Sequence, residues 1–131
     1  HHAQVGEVFK KTGTFFEYYA PESAEPGLLA RPDFVGWTGL VPVAILFESI
    51  FGINPDYLNK ILNWHVSLTE EHGIDRYPIG PEGMLSLRCL ARSSAKQRPQ
   101  LEITTNIELK LNLSWDGGSE TVALNPGKNK V

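Results

Sequence analysis

The sequence predicts a chain of mixed α and β structure, helical in front and antiparallel β behind. Two observations carry this. Apolar residues recur at helical spacing in two stretches before residue 52. After Asn54-Pro55 the period becomes two and stays so to about residue 124. Residues 1–53 form one expected unit and residues 54–131 the other.

Val5, Val8 and Phe9 fall at i, i+3 and i+4, which predicts a helix over 3–11. Gly13 stands where a left-handed residue closes such a helix. Thr14-Phe15-Phe16-Glu17-Tyr18-Tyr19 is too short and too aromatic for a helix and reads as extended. Pro21, Pro26, Gly27, Pro32 and Gly36 mark residues 20–36 as a loop, and loops of that length usually serve a function. Pro42 fits the first turn of a second helix. Val43, Ile45, Leu46, Phe47, Ile50 and Phe51 line it almost all round, and Gly52 ends it. With Glu48 its only charge, this helix is expected to be buried on most sides.

In the second unit, Leu62, Trp64, Val66 and Leu68 alternate with polar residues. Leu85, Leu87, Cys89 and Ala91 form another alternating set, and from Leu101 to Trp115 every odd position is apolar or Thr. One buried face and one wet face is the pattern of an antiparallel sheet. The run from 101 to 115 exceeds a typical strand, so a bend is expected near Thr105-Asn106. Asp116-Gly117-Gly118 signals a hairpin, residues 119–124 a return strand, and Pro126 to Val131 a polar tail.

Of 131 residues, 41 % are hydrophobic and 21 % charged, a globular composition. A net charge of −3 supplies no basic face for nucleic acid. No apolar run reaches the ~20 residues of a membrane span. Neither nucleic acid nor membrane is therefore an expected partner. The single cysteine, Cys89, excludes an internal disulfide and leaves the compartment open. His65 and His72 are too far apart and too dissimilar in context for a zinc pair, and no phosphate or dinucleotide fingerprint appears. No metal or cofactor is expected. The chain begins His1-His2-Ala3, its only methionine is Met84, and nine of its thirteen aromatics lie in the first 51 residues. Together these features predict part of a larger protein, with a cleft wall in the front unit.

Glu17 is the foremost candidate for chemistry. A carboxylate set among aromatic rings is poorly solvated and suited to proton transfer. On an extended segment it shares a face with Phe15 and Tyr19. The plainer reading is a strand-edge carboxylate in solvent. In the loop, Glu22, Glu25, Arg31 and Asp33 offer charge-assisted hydrogen bonds to hydroxyls, and Phe34 and Trp37 offer rings that stack on sugar faces. Equally, Arg31 and Asp33 pair with each other and Trp37 fills core.

Two blocks, Thr12 to Glu22 and Ala30-Arg31-Pro32-Asp33-Phe34-Val35-Gly36-Trp37-Thr38-Gly39, resemble the last part of the catalytic domain of six-hairpin glycosidases. These are the trehalase-like and mannosylglycerate-hydrolase-like enzymes, including glycoside hydrolase family 63. Trp64 to Gly73 is similar to the β region that follows it in bacterial members. The resemblance implies C-terminal helices of an (α/α)₆ barrel followed by a small antiparallel β-sheet or sandwich. It implies inverting hydrolysis of a glycosidic bond, favouring α-linked substrates, with Glu17 as the general base. Tyr19, Arg31, Asp33, Phe34 and Trp37 match the region that shapes the sugar pocket. Where the family has Glu-Asn-Tyr or Glu-Lys-Tyr, this chain has Glu17-Tyr18-Tyr19. The general acid matches nothing here, so the chain alone is expected to be inactive. Its implied partners are a glycoside substrate and the remainder of the barrel. The alternative is a non-catalytic carbohydrate-binding or structural β module.

Overall fold

A computed structural model describes residues 2–28, 31 and 35–131. The chain divides into two compact units, His1–Leu46 and Phe47–Val131.

In the first unit, helix α1 (His2–Thr12) buries Val5 and Val8. It stops at Gly13, whose N–H reaches back to the Phe9 carbonyl at 2.8 Å. Residues 14–28 form no strand. Their main chain closes only a small bridge between Tyr19 and Pro26. The expected extended segment is thus an irregular one. Phe15 stacks on Phe9 of the helix (4.7 Å between ring centres) while Phe16 turns inward and is buried. Opposed rings at successive positions fix the segment without a partner strand.

A second helical stretch covers residues 37–50 in three short pieces. These are a 3₁₀ turn (Trp37–Gly39), helix α2 (Leu40–Ala44) and a π-helical turn (Ile45–Ile50). Burial on most sides is the expectation, yet neither α2 nor the π turn contains a buried residue. Leu40 is 64 % exposed and Val41 51 %. Pro42 contributes no N–H, and the hydrogen bonding drifts from 3₁₀ to π along the stretch.

The second unit is a β-sandwich of eight strands. They are β1 (Ile53–Asp56), β2 (Ile61–His65), β3 (His72–Ile79), β4 (Gly83–Cys89), β5 (Leu101–Thr105), β6 (Leu109–Trp115), β7 (Gly118–Leu124) and β8 (Gly127–Lys130). Sheet I has the order β1-β2-β6-β7, and sheet II the order β3-β4-β5-β8. All neighbours are antiparallel except β2 and β6, which run parallel. Between the sheets, Leu62, Trp64, Leu111 and Leu113 from sheet I meet Leu85, Leu87, Leu101 and Ile103 from sheet II. Each of these is at an alternating position, so the period-two pattern is what fills the core.

The long alternating run breaks into β5 and β6. Thr105 is buried at the break, and its hydroxyl donates to the Ile107 carbonyl at 2.8 Å and accepts from the Ile107 N–H. The Asn106 side chain accepts from the Met84 N–H and donates to the Glu82 carbonyl, both at 2.7 Å. The chain crosses there from sheet II to sheet I. Gly52 brings the chain into β1 with φ +69°, and a Cβ there would lie 2.0 Å from the His65 carbonyl oxygen.

This architecture overturns the expected fold. An (α/α)₆ barrel needs long helices packed in hairpins. The described residues hold α1 and the broken stretch 37–50, and the larger unit is a β-sandwich. The six-hairpin and trehalase-like assignments fall with the barrel. The β module is also mixed, not purely antiparallel, because β2 pairs with β6 across 49 residues of sequence.

Candidate functional site

Glu17 is half-buried on the irregular segment of the first unit. The Gly36 main chain lies directly against its side chain. A Cβ on Gly36 would sit 2.6 Å from Glu17 Cγ. Gly36 has φ 56° and ψ −158°, a region only glycine enters readily. Tyr19 is half-buried; its hydroxyl accepts from the Phe16 N–H at 3.0 Å, and its ring meets that of Phe16 edge-on at 6.4 Å. Lys11 ties down the following loop by an ion pair with Glu25 (2.9 Å) and a hydrogen bond to the Ala24 carbonyl (3.1 Å). Tyr18, Tyr19, Pro21, Glu22, Gly27 and Leu28 line a shallow depression of about 420 Å³.

The other predicted residues join this group only in part. Trp37 begins the 3₁₀ turn one residue after Gly36 and is 82 % exposed, so it fills no core. Arg31 is exposed. Asp33 and Phe34 lie outside the described residues. Among the described residues, no three His, Cys, Asp or Glu side chains are grouped to hold a metal ion. No helix among them is long and apolar enough to cross a membrane.

The second unit brings together residues that the sequence alone does not group. On the outer face of sheet I, Asn54, Asn63, Asn112 and Thr121 align in one row across β1, β2, β6 and β7. Thr121 Oγ1 donates to Asn112 Oδ1 (3.1 Å), Asn112 Nδ2 to Asn63 Oδ1 (3.0 Å), and Asn63 Nδ2 to the Asn54 carbonyl (3.2 Å). The donors all point the same way along the row. Beside it, His65 Nδ1 lies 3.0 Å from Ser114 Oγ, and Ser119 pairs with Ser114 on β7. These rows line a groove of about 360 Å³. The carboxylate at its rim, Glu120, is ion-paired with Arg98. A sequence signal existed: Leu62-Asn63-Trp64-His65 and Leu111-Asn112-Leu113-Ser114 share one pattern and pair residue for residue. Only the parallel register reveals that they meet.

The outer face of sheet II carries a cluster of paired charges. Arg88 donates to Glu71 (2.8 Å) and to Glu102 (3.3 Å) on that face. The three side chains satisfy one another, and all are about half-exposed.

No protein-family model matches the chain, and neither a curated protein nor a solved structure matches it. The resemblance to six-hairpin glycosidases therefore has no support from comparison, and the fold contradicts it.

Proposed function

We propose that the chain carries a non-catalytic carbohydrate-binding module whose ligand face is the outer side of sheet I. The observation behind this reading is the row Asn54-Asn63-Asn112-Thr121 with its neighbours His65 and Ser114. Amide and hydroxyl groups offer donors and acceptors side by side, and hydroxyl-rich ligands need both. Lys110 stands exposed on this face two residues before Asn112, but the polar lining of the groove itself is amides, hydroxyls, His65 and one carboxylate, Glu120, that is ion-paired with Arg98. Such a lining suits a neutral glycan, whose hydroxyls compete with water on equal terms. Four net hydrogen bonds at about 1 kcal/mol each give roughly millimolar affinity. Titration of the full chain with neutral oligosaccharides, followed by NMR, should move the side-chain amide signals of Asn63 and Asn112. If those signals stay fixed at ligand concentrations well above millimolar, the reading is wrong.

A second reading keeps Glu17 as a general base for hydrolysis of a glycosidic bond. One observation favours it: the Gly36 main chain is seated on the Glu17 side chain and sets its direction. A general base typically contributes about 10²–10⁴-fold to rate. Glu17→Gln should then lower glycoside hydrolysis by the protein at least tenfold, and a smaller loss removes Glu17 from that role.

A further inference from the structure

We infer that the sheet I row takes an extended neutral oligosaccharide lying across the strands, one sugar unit to a strand, and not a single sugar. This rests on the carbohydrate-binding reading and specifies its ligand. The row crosses four strands at nearly right angles to the chain direction. Neighbouring strands lie ~4.8 Å apart, so three gaps span roughly 14 Å, a length no monosaccharide fills. Asparagines stand in register on three successive strands, two of them joined through their side-chain amides, then a hydroxyl follows on the fourth.

The amides of Asn63 and Asn112 present the same unused chemistry, whereas Asn54 enters the row through its main-chain carbonyl and turns its own amide to the Glu48 carbonyl (3.5 Å). An Asn side chain has two N–H donors and two acceptor lone pairs. Asn63 and Asn112 each spend one donor and one lone pair on the row. One N–H and one lone pair remain on each, side by side in the amide plane, which matches two adjacent ring hydroxyls of a pyranose. Because every hydrogen bond in the row runs from Thr121 toward Asn54, the amides of Asn63 and Asn112 are polarised in the same sense and hold the same orientation. A repeated, co-oriented donor–acceptor pair fits a repeating ligand. The neighbouring His65 and Ser114 widen the track by one more row of strand positions.

The full chain would be titrated, with NMR or calorimetry as readout, against methyl glucoside and against α-1,4- and β-1,4-linked glucotetraose. A uronic-acid tetrasaccharide serves as the charged counterpart. The better neutral tetrasaccharide should bind at least tenfold tighter than the monosaccharide and tighter than the uronic acid. Asn112→Ala should reduce that binding at least fivefold. Thr121→Val, nearly isosteric and at an exposed position, should reduce it measurably with the sandwich intact. Glu102→Gln on sheet II should leave it unchanged. A tetrasaccharide advantage below tenfold, equal binding of the charged ligand, or unaltered binding by both row variants overturns the extended-ligand inference while the module reading stands. Absence of binding by every sugar overturns both.

Discussion

The side-chain amide of Asn112 donates to the amide oxygen of Asn63 at 3.0 Å, across the only parallel strand pair among the described residues. This bond ties the two halves of sheet I, since β1 and β2 reach β6 and β7 only through the β2–β6 pairing.

Removing either partner tests how far the row stabilises the sandwich. Intramolecular hydrogen bonds are worth about 0.5–1.5 kcal/mol net. Asn112→Ala breaks two bonds of the row and Asn63→Ala two. Each should lower unfolding free energy by about 1–2 kcal/mol in urea denaturation. The double variant should cost less than the sum of the single ones by about 0.5–1 kcal/mol, the share of the bond they hold in common. Strict additivity would show that the amides do not interact in solution.

Arg92 yields a second prediction. Its guanidinium donates to three main-chain carbonyls, of Val66 (2.7 Å), Leu68 (3.3 Å) and Gln97 (2.6 Å). It thus fastens the segment after β2 to the loop between β4 and β5. Hydrogen bonds from a charged group are worth about 1.5–3 kcal/mol. Arg92→Ala should destabilise the chain by about 2–3 kcal/mol, and Arg92→Lys should recover only part of this, because an ammonium cannot span the fork. By contrast Glu102→Gln, which breaks an exposed pair with Arg88, should cost less than about 0.5 kcal/mol. Thermal unfolding of the three variants ranks them directly.

Gly36 carries a third. An alanine there meets two penalties, a backbone conformation with φ 56° and ψ −158° and a Cβ 2.6 Å from Glu17 Cγ. Such conformations cost of order 1–3 kcal/mol in non-glycine residues. Trp37, adjacent and 82 % exposed, reports on the change. Gly36→Ala should alter the quenching of Trp37 by acrylamide, measured with Trp64 and Trp115 replaced by Phe in both proteins under comparison. Quenching that is identical with and without the substitution would mean that the Gly36–Glu17 contact does not hold this segment.

The β unit was legible in the sequence where local pattern sufficed. Leu101 to Trp115 showed which side chains face inward, and the bend after Thr105 follows from a hydroxyl that satisfies the Ile107 backbone locally. Strands β1 and β3 were not legible. Pro55 interrupts β1, which lies at an edge of sheet I where a missing N–H is tolerated. In β3 the register shifts between Ile74 and Tyr77, with Arg76 at φ 56°, so the period-two signal is lost midway. The long-range parallel pairing that assembles the Asn row has no local signature at all. Residues 40–50 are helical, but periodicity says which residues are apolar and not how far they are buried. Arg92 looked like one member of a solvated basic stretch because carbonyl acceptors are invisible in a sequence.

Alkaline pH provides the last prediction. The Cys89 thiol is buried between the sheets, and burial pushes its pKa above the ordinary 9.0 against the opposing pull of the Arg92 charge. The Tyr77 hydroxyl is likewise raised above 10.0, chiefly by burial and secondarily by the Glu48 carboxylate. Both groups are neutral when protonated, so a raised value means that the folded chain keeps its protons longer than the unfolded chain does. As pH climbs past about 9, the unfolded state binds fewer protons than the folded state, and stability falls. Below that pH the contribution is fully present and flat. Each group sets a limiting slope of about 1.4 kcal/mol per pH unit. Denaturant unfolding from pH 7 to 10.5 should therefore show a plateau and then a decline. Cys89→Ala lowers the plateau by leaving a cavity, but it removes the decline that begins first and leaves the later one due to Tyr77. If the variant declines with the same onset and slope as the parent, Cys89 does not titrate from a buried state, and its place between the sheets is wrong.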